Sequence, residues 1–197
     1  MNTGRRAIVA VIGLSVCLLA ACVPAERAES TTSAYSLTGK EGVYTLVNLH
    51  PDEAATPPRL YSTNYQHDGL IPRCTPVRID EVKPRAVRFT VLSTGRQYEY
   101  IFKYDHITDS QFVHLNKVFG VNCDTAKVEQ MSDADRRGIK EGRIYQGMSK
   151  DAVILAAGYP PQHRTPSLDA DTWFYWSRIT KSFGVVFVNG KVDHIAY

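Results

Sequence analysis

Residues 1–21 constrain the fold most, because they resemble a segment that is removed before the rest of the chain folds. Arg5 and Arg6 precede an apolar run from Ala7 to Ala21 that carries no charge. A short positive stretch before an apolar run is the layout of a secretory signal peptide. As a helix at ~1.5 Å per residue the run spans only about 22 Å, less than the roughly 30 Å of a bilayer core. We therefore expect a signal peptide at residues 1–21 and not a permanent transmembrane helix.

The end of this segment carries a more specific pattern. Leu19-Ala20-Ala21-Cys22 resembles the lipobox of bacterial lipoproteins, in which small residues enter the protease and the cysteine thiol receives diacylglycerol. The resemblance implies that Cys22 becomes the lipidated first residue, held firmly because each buried CH₂ contributes about 0.8 kcal/mol. Val23 stands where aspartate would retain a lipoprotein at the inner membrane, which implies the outer membrane, facing the periplasm. The alternative is an ordinary signal peptide cut near Ala-x-Ala, with Cys22 an incidental thiol.

Removal of residues 1–21 changes the charge of the protein. The full chain has 197 residues and a net charge of +3; without this segment and its two arginines, 176 residues with a charge of +1 remain. The composition, with 44% hydrophobic and 22% charged residues, is that of a globular protein and excludes wholesale disorder. A charge near zero gives no electrostatic reason to expect a nucleic-acid partner.

Cys74 and Cys123 are the two cysteines that remain after Cys17 leaves with the signal peptide and Cys22 takes lipid. In an oxidising periplasm, two cysteines predict one disulfide. It would close a loop of 49 residues and contribute ~4 kcal/mol through chain entropy. A zinc site is the alternative, but no CxxC or HxxxH spacing accompanies the pair. We expect neither a metal nor a cofactor.

The remaining chain divides by composition into a tether and two halves. Residues 22–38 comprise Cys22, which the lipobox resemblance implies is lipidated, and a small, polar and aperiodic stretch that predicts a flexible tether. Residues 39–130 are rich in strand patterns, and residues 131–197 begin with helix signals. We expect an α+β fold: a small antiparallel, barrel-like β domain with one helix, then two helices and a three-stranded antiparallel sheet.

The β-rich domain contains four strand segments. Alternating or β-branched residues predict strands at 43–47, 75–82, 87–91 and 98–104. The second follows Pro72 and Pro76, so we expect it to begin at a sheet edge. Residues 71–79 resemble the entry strand of Src-homology-3-like barrels, with Cys74 in place of the usual glycine.

Helix signals lie between capping residues and glycine stops. Three helices are predicted between Asp109 and Gly120, Ser132 and Gly142, and Ser149 and Gly158. Met148 and Val153 flank the last cap as a hydrophobic staple. Three strands follow, at residues 172–178, 183–188 and 191–196. The hairpin signal Asn189-Gly190 predicts two cross-strand pairs, Phe187 with Val192 and Val185 with His194, and a bulge near Ile195.

The C-terminal residues carry a family resemblance. The motifs are Gly147-Met148-Ser149, Val153, Gly158-Tyr159-Pro160, Trp173-Phe174-Tyr175-Trp176, Phe187 and Asn189-Gly190-Lys191-Val192. In combination they resemble the BamE-like (SmpA/OmlA) domain, a lipoprotein domain of the outer-membrane β-barrel assembly machinery. The resemblance covers residues 132–197 and implies two helices followed by a three-stranded antiparallel sheet. It transfers no partner-binding residue to this chain.

The densest aromatic cluster is a candidate interaction surface. It consists of Trp173, Tyr175 and Trp176. On a strand, Trp173 and Tyr175 share one face while Phe174 and Trp176 share the other, so one face is core and the other exposes aromatics to a protein, glycan or lipid. The alternative is that the N-terminal half covers both faces.

Catalytic residues are not predicted. Ser149, Asp171 and His194 have the chain order of a hydrolase triad, but Ser149 is better explained as a helix cap without a preceding buried strand. The six histidines lack metal-ligand spacing.

The sequence predicts a non-enzymatic, lipid-anchored lipoprotein of the outer membrane. We expect it to act as an interaction or scaffolding module in envelope or outer-membrane protein assembly, with envelope proteins, including barrel-assembly components, as partners. One alternative is a peptidoglycan-binding lipoprotein in which the tyrosine-rich β region contacts the cell wall. A periplasmic hydrolase is the third hypothesis.

Overall fold

Two β-sheets and four helices make up the described part of the chain. A computed structural model describes residue 1 and residues 35–103, 110–178 and 180–197. The fold class is α+β, as predicted. The predicted signal peptide beyond its first residue, the lipid attachment at Cys22 and most of the predicted tether lie outside the described residues.

The first sheet has six strands. They are β1 (Val43–Thr45), β2 (Arg59–Tyr61), β3 (Pro76–Lys83), β4 (Ala86–Val91), β5 (Arg96–Ile101) and β6 (Phe119–Gly120). Their spatial order is β2-β5-β4-β3-β1-β6. Four neighbouring pairs are antiparallel, but β2 runs parallel to β5. The prediction of an antiparallel sheet is therefore wrong at this pair, because β5 is not the sequence neighbour of β2 and no hairpin fixes its direction.

Strand β3 lies inside this sheet, between β4 and β1, so the prediction that it begins at a sheet edge is wrong. Pro76 is its first residue and lies opposite Tyr44 of β1. A proline is tolerated there because the first residue of a strand can lack a ladder N–H. Its carbonyl still accepts a hydrogen bond from the Leu92 N–H at 3.0 Å.

Alternate residues of β4 and β5 form the centre of the first hydrophobic core. The buried side chains are Val87, Phe89, Val91, Tyr98 and Tyr100. Helix α1 (Gln111–Val118) packs on them and begins at Ser110, whose hydroxyl accepts a hydrogen bond from the helix backbone. The predicted cap, Asp109, lies outside the described residues. The helix ends before the predicted stop at Gly120 because β6 pairs with β1.

Residues 35–38, which the predicted tether included, belong to the folded body. Tyr35 and Leu37 are buried in the first core. The Tyr35 hydroxyl donates to Asn116 Oδ1 at 3.0 Å, and burial raises the pKa of Tyr35 to about 12. The prediction that the tether extends to residue 38 is therefore wrong for its last four residues, because two apolar side chains in a polar stretch find a place in the core.

The second half contains three helices and a three-stranded antiparallel sheet of order β7-β8-β9. The elements are α2 (Ala126–Glu129), α3 (Asp133–Glu141), α4 (Lys150–Ala157), β7 (Thr172–Arg178), β8 (Lys181–Val188) and β9 (Lys191–Ala196). The single turn α2 was not predicted, because four residues are too short to show helical periodicity. The succession of α3, α4 and three strands agrees with the predicted order.

The predicted caps of α3 and α4 are confirmed. Ser132 and Asp135 form a capping box at the start of α3, and Gly142 ends the helix in the left-handed region with φ 65°. At α4 the Ser149 hydroxyl accepts a hydrogen bond from the Ala152 N–H at 3.2 Å.

The hairpin between β8 and β9 has positive φ at both Asn189 and Gly190, as a type I′ turn requires. It sets one predicted pair, Phe187 with Val192. The predicted pair of Val185 and His194 is wrong, because a bulge beside Phe187 shifts the register and brings His194 opposite Val186. A bulge leaves one residue of β9 without a partner and so changes every pair beyond it.

Helix α4 contacts both hydrophobic cores. Ala152, Val153 and Ala156 are buried against the β7-β8-β9 sheet, whereas Ile154 and Leu155 contact both cores. The predicted boundary near residue 130 falls between the two cores. The residues that surround both of them form one compact unit, Ala34–Tyr197.

Candidate functional site: an aromatic and cationic belt

Strand β7 carries the predicted aromatic cluster, and its two faces have different environments. Trp173 and Tyr175 are fully buried in the second core, where Trp173 lies 4.7 Å from Phe187 between ring centroids. These two residues therefore cannot form the exposed surface that was predicted for them. Side chains of a strand alternate between faces, and the face with Trp173 and Tyr175 is the one that α3 and α4 cover.

The opposite face of β7 carries Phe174 and Trp176, both half-exposed. Phe174 pairs with Gly184 of the neighbouring strand β8. A carbon of its ring lies 3.5 Å from the position that a Cβ would occupy at Gly184. Of the predicted surface residues only Trp176 remains accessible. Phe174 shares this face with Trp176, as the strand alternation predicted, but it was not among the residues predicted to form the interaction surface.

Phe174 and Trp176 are part of a larger surface that joins the two halves of the protein. We call this surface the belt and define it by Tyr61, Tyr65, Lys103, Arg164, Phe174 and Trp176. Lys103 Nζ lies 5.2 Å from the ring centroids of both Tyr61 and Tyr65. Tyr65 meets Trp176 edge to face at 6.4 Å between centroids. The Arg164 guanidinium lies 5.3 Å from the centroids of both Trp176 and Phe174.

Backbone contacts hold the two parts of the belt together. Tyr65 forms a parallel bridge with Trp176, and the Gln66 N–H donates to the Trp176 carbonyl at 2.7 Å. The segment that carries Arg164 turns directly after Pro161, whose carbonyl accepts the Arg164 N–H at 3.0 Å. The belt is therefore anchored to backbone on both sides.

The buried Thr165 fixes the same turn to β7. Its hydroxyl accepts a hydrogen bond from the Phe174 N–H at 2.9 Å, and its own N–H donates to the Pro161 carbonyl at 2.9 Å. Arg164, the preceding residue, is thereby held above the strand that carries its two ring partners.

The two cations of the belt lie over aromatic rings. Within residues 35–103, 110–178 and 180–197, neither Lys103 nor Arg164 forms an ion pair with a carboxylate. Lys103 Nζ donates to the Tyr65 hydroxyl at 3.3 Å. Arg164 has its guanidinium on two ring faces, an arrangement that stabilises a cation without neutralising it.

Four polar side chains of the first half bind the C-terminal ends of α3 and α4. Asn48 donates to the carbonyls of Ile139 at 2.6 Å and of Ala156 at 3.2 Å, and His50 Nε2 lies 3.0 Å from the Ala156 carbonyl. The other two donate to the Ala157 carbonyl, Asn64 at 2.8 Å and Gln66 at 2.9 Å. These groups satisfy carbonyls that a helix end leaves without an intrahelical partner. We call these four residues the clamp.

A cavity of about 30 Å³ lies beside the clamp and the belt. That volume has room for about one or two water molecules and for no larger ligand. In its wall the Tyr100 hydroxyl lies 2.7 Å from His114 Nε2. Complete burial raises the pKa of Tyr100, because the phenolate would lose its hydration. The pair forms a partly buried hydrogen bond between β5 and α1.

The predicted disulfide is present and joins Cys74 to Cys123. It ties the start of β3 to the segment after β6. Cys74 has φ 59°, in the left-handed region, where a residue other than glycine is held by its surroundings. No group of three potential metal ligands occurs among the residues that the structure describes.

The residues of the hypothetical hydrolase triad have separate partners. The Ser149 hydroxyl caps α4, and His194 Nδ1 lies 2.8 Å from the carboxylate of Asp193. No hydrogen bond between described residues joins Ser149 to His194. The geometry explains Ser149 as a cap and assigns it no nucleophilic role.

The described residues form an α+β protein whose surface carries the belt. Comparisons of the chain with protein-family models, with curated proteins and with solved structures found no match. No helix in the described part of the chain is long and apolar enough to cross a membrane.

Proposed function

We propose that this protein is a lipid-anchored, non-enzymatic binding module of the bacterial envelope, and that the belt is its binding face. The observation that carries the proposal is the belt itself, in which the partly exposed rings of Tyr61, Phe174 and Trp176 lie beside two cations that have no carboxylate partner among the described residues. Aromatic residues and arginine are the residue types most enriched at protein interfaces. The partner we propose is an envelope protein of the outer-membrane assembly pathway.

The location in the envelope is supported by the sequence and by the disulfide. The segment from Arg5 to Cys22 resembles the signal peptide and lipobox of a lipoprotein. A bond between Cys74 and Cys123 suits an oxidising compartment, because cytosolic thiols are kept reduced. The two helices and three antiparallel strands of residues 133–196 agree with what the resemblance to BamE-like domains implies.

The anchor is tested by lipid labelling in cells. The wild-type chain should incorporate radiolabelled palmitate and fractionate with the outer membrane, and Cys22→Ser should lose both properties. Cys17→Ser is the matched control, since it removes a neighbouring thiol within the segment we expect to be cleaved. Palmitate incorporation by Cys22→Ser would contradict the anchor.

The binding face is tested by photo-crosslinking in intact cells. A photoreactive phenylalanine analogue at Phe174 should form adducts with outer-membrane assembly proteins. The control position is Arg88, an exposed residue of β4 in the other sheet. Equal adducts from both positions, or none from Phe174, would rule out the belt as the binding face.

Peptidoglycan binding is the second candidate, and the aromatic rings of the belt favour it because sugars stack on such rings. Co-sedimentation of the full chain with purified sacculi tests this function. Sedimentation that Trp176→Ala abolishes would support it, and protein that stays in the supernatant would exclude it.

A further inference from the structure

We propose that the belt binds an acidic, extended segment of a partner protein, whose carboxylates pair with Arg164 and Lys103 as the segment passes the accessible part of Trp176. This inference rests on the proposed function, because it names the chemistry of the partner at the same surface.

The arginines that lie over aromatic rings differ in whether the described part of the chain supplies a carboxylate for them. Arg96 lies over Tyr98 and pairs with Glu53, and Arg137 lies over Tyr145 and pairs with Glu141. Each of these guanidinium groups has its carboxylate supplied within the chain. Arg164 lies over two rings and has no such carboxylate among the described residues.

The two cations of the belt act only as hydrogen-bond donors, which limits the ligands that they can bind. Lysine and arginine side chains donate hydrogen bonds and accept none, and a guanidinium presents a planar fork that matches a carboxylate. A sugar hydroxyl needs acceptors as well as donors, and Lys103 and Arg164 provide none. Carboxylate oxygens are acceptors only and carry the complementary charge. The belt therefore suits an acidic chain better than a neutral glycan.

The two cations of the belt are held in place before a ligand binds. Arg164 is held by the turn at Pro161 and by the rings of Phe174 and Trp176. Lys103 is held over two tyrosine rings and by the Tyr65 hydroxyl. Fixing long side chains before binding removes part of the entropy that association otherwise costs. A ligand that reaches both cations has to follow the belt past Trp176, which requires an extended segment.

The chain contains a spectroscopic reporter for this test. Its two tryptophans differ in environment, since Trp173 is fully buried and Trp176 is half-exposed. A ligand at the belt should change the emission of Trp176 and leave that of Trp173 unchanged. The variant Trp176→Phe should therefore lose the signal.

The experiment titrates the full chain, in detergent, with a synthetic peptide in which glutamate alternates with valine. We expect saturable binding that weakens as salt is added, because exposed ion pairs are screened. A peptide with glutamine in place of glutamate keeps the shape and the amide groups but loses the charge, so it should bind at least about fivefold more weakly.

Variants assign the effect to the belt. Arg164→Ala should weaken binding of the glutamate peptide about fivefold, and Arg164→Lys should weaken it less, because lysine keeps the charge but lacks the fork. Arg137→Ala is the matched control, since it removes an arginine over a ring outside the belt, and should leave binding unchanged. A thermal melt of each variant separates loss of binding from loss of folding.

The outcomes distinguish this inference from the proposed function. Equal binding of the glutamine peptide, or unchanged binding by Arg164→Ala, overturns the acidic-segment inference. Binding of soluble muropeptides in place of the glutamate peptide also overturns it. If crosslinks from Phe174 to envelope proteins persist in those cases, the proposed binding face stands. If the peptide binds but Phe174 yields no crosslink in cells, the proposed function fails instead.

Discussion

The carboxylate of Asp135 binds the backbone of Ser149, with 2.7 Å between Oδ1 and the amide nitrogen. Its other oxygen accepts hydrogen bonds from the N–H and hydroxyl of Ser132 in the capping box of α3. One buried side chain thus connects the caps of two successive helices. This double use explains how an aspartate can be only 6% exposed, since a buried carboxylate requires several donors.

Loss of this link should destabilise the second half. We expect Asp135→Asn to lower the free energy of unfolding by about 1–3 kcal/mol, because an amide nitrogen then faces a donor. Asp133→Asn is the control: its side chain is 95% exposed in the same helical turn, and its effect should be no more than about 0.5 kcal/mol. Urea denaturation followed by circular dichroism measures both, and equal effects would contradict the link.

Substitution of Asn48, a residue of the clamp, should lower the free energy of unfolding more than substitution of Asp135. Asn48 donates to two carbonyls and accepts the Arg73 N–H at 2.8 Å. Asn48→Ala should cost about 2–4 kcal/mol, because it leaves buried groups without partners. Asn122→Ala, at an exposed position, should be nearly neutral. A small effect of Asn48→Ala in denaturant unfolding would contradict the clamp.

The disulfide should contribute strongly to stability. Because it closes a loop of 49 residues, the double variant Cys74→Ser/Cys123→Ser should lose ~4 kcal/mol of unfolding free energy. Reduction of the wild type should cause a similar loss, and reduction of the double variant should cause none. Thermal melts with and without reductant test this, and a wild type unaffected by reduction would oppose it.

His50 should make stability depend on pH. Burial lowers the pKa of His50 in the folded state, with His67 adding a smaller repulsion. Because the unfolded state then binds the proton more readily, this stability is fully present above the unfolded pKa of about 6.5, and it is lost progressively as pH falls from there through the lower pKa of the folded state.

The variant His50→Gln tests the origin of this dependence. Glutamine keeps a donor near the Ala156 carbonyl but does not titrate, so unfolding free energies at pH 5 and pH 7.5 should differ less than in the wild type. The exposed His194 provides the control variant His194→Gln, which should keep the wild-type dependence. An equal pH dependence in His50→Gln would contradict the assignment.

Local signals predicted much of the second half. Serine caps, glycine stops and the Asn189-Gly190 turn are short-range chemistry, and each determines its own few residues of structure. The alternation along β7 likewise showed that Trp173 and Tyr175 share a face. Which face is buried could not be read locally, because that depends on where α3 and α4 pack.

The predictions that were wrong or incomplete concern features that depend on contacts between residues distant in the sequence. The partner of β2 lies about forty residues along the chain, in β5, and no turn chemistry specifies a parallel pair of that separation. Tyr35 and Leu37 find their places in a core built by later residues. The belt was only partly predicted for the same reason: Lys103, Tyr65 and Arg164 come together through tertiary packing and share no motif.

The clamp at the end of α4 has a consequence for how the chain can be divided. A fragment that begins near residue 131 would carry a helix end whose carbonyls lack Asn48, His50, Asn64 and Gln66. A fragment that ends near residue 130 would keep those side chains without their acceptors. The two sheets therefore depend on each other for stability. Recombination between them would separate the clamp residues from the carbonyls that they bind. We expect natural shuffling and deliberate domain exchange to succeed only when both halves move together.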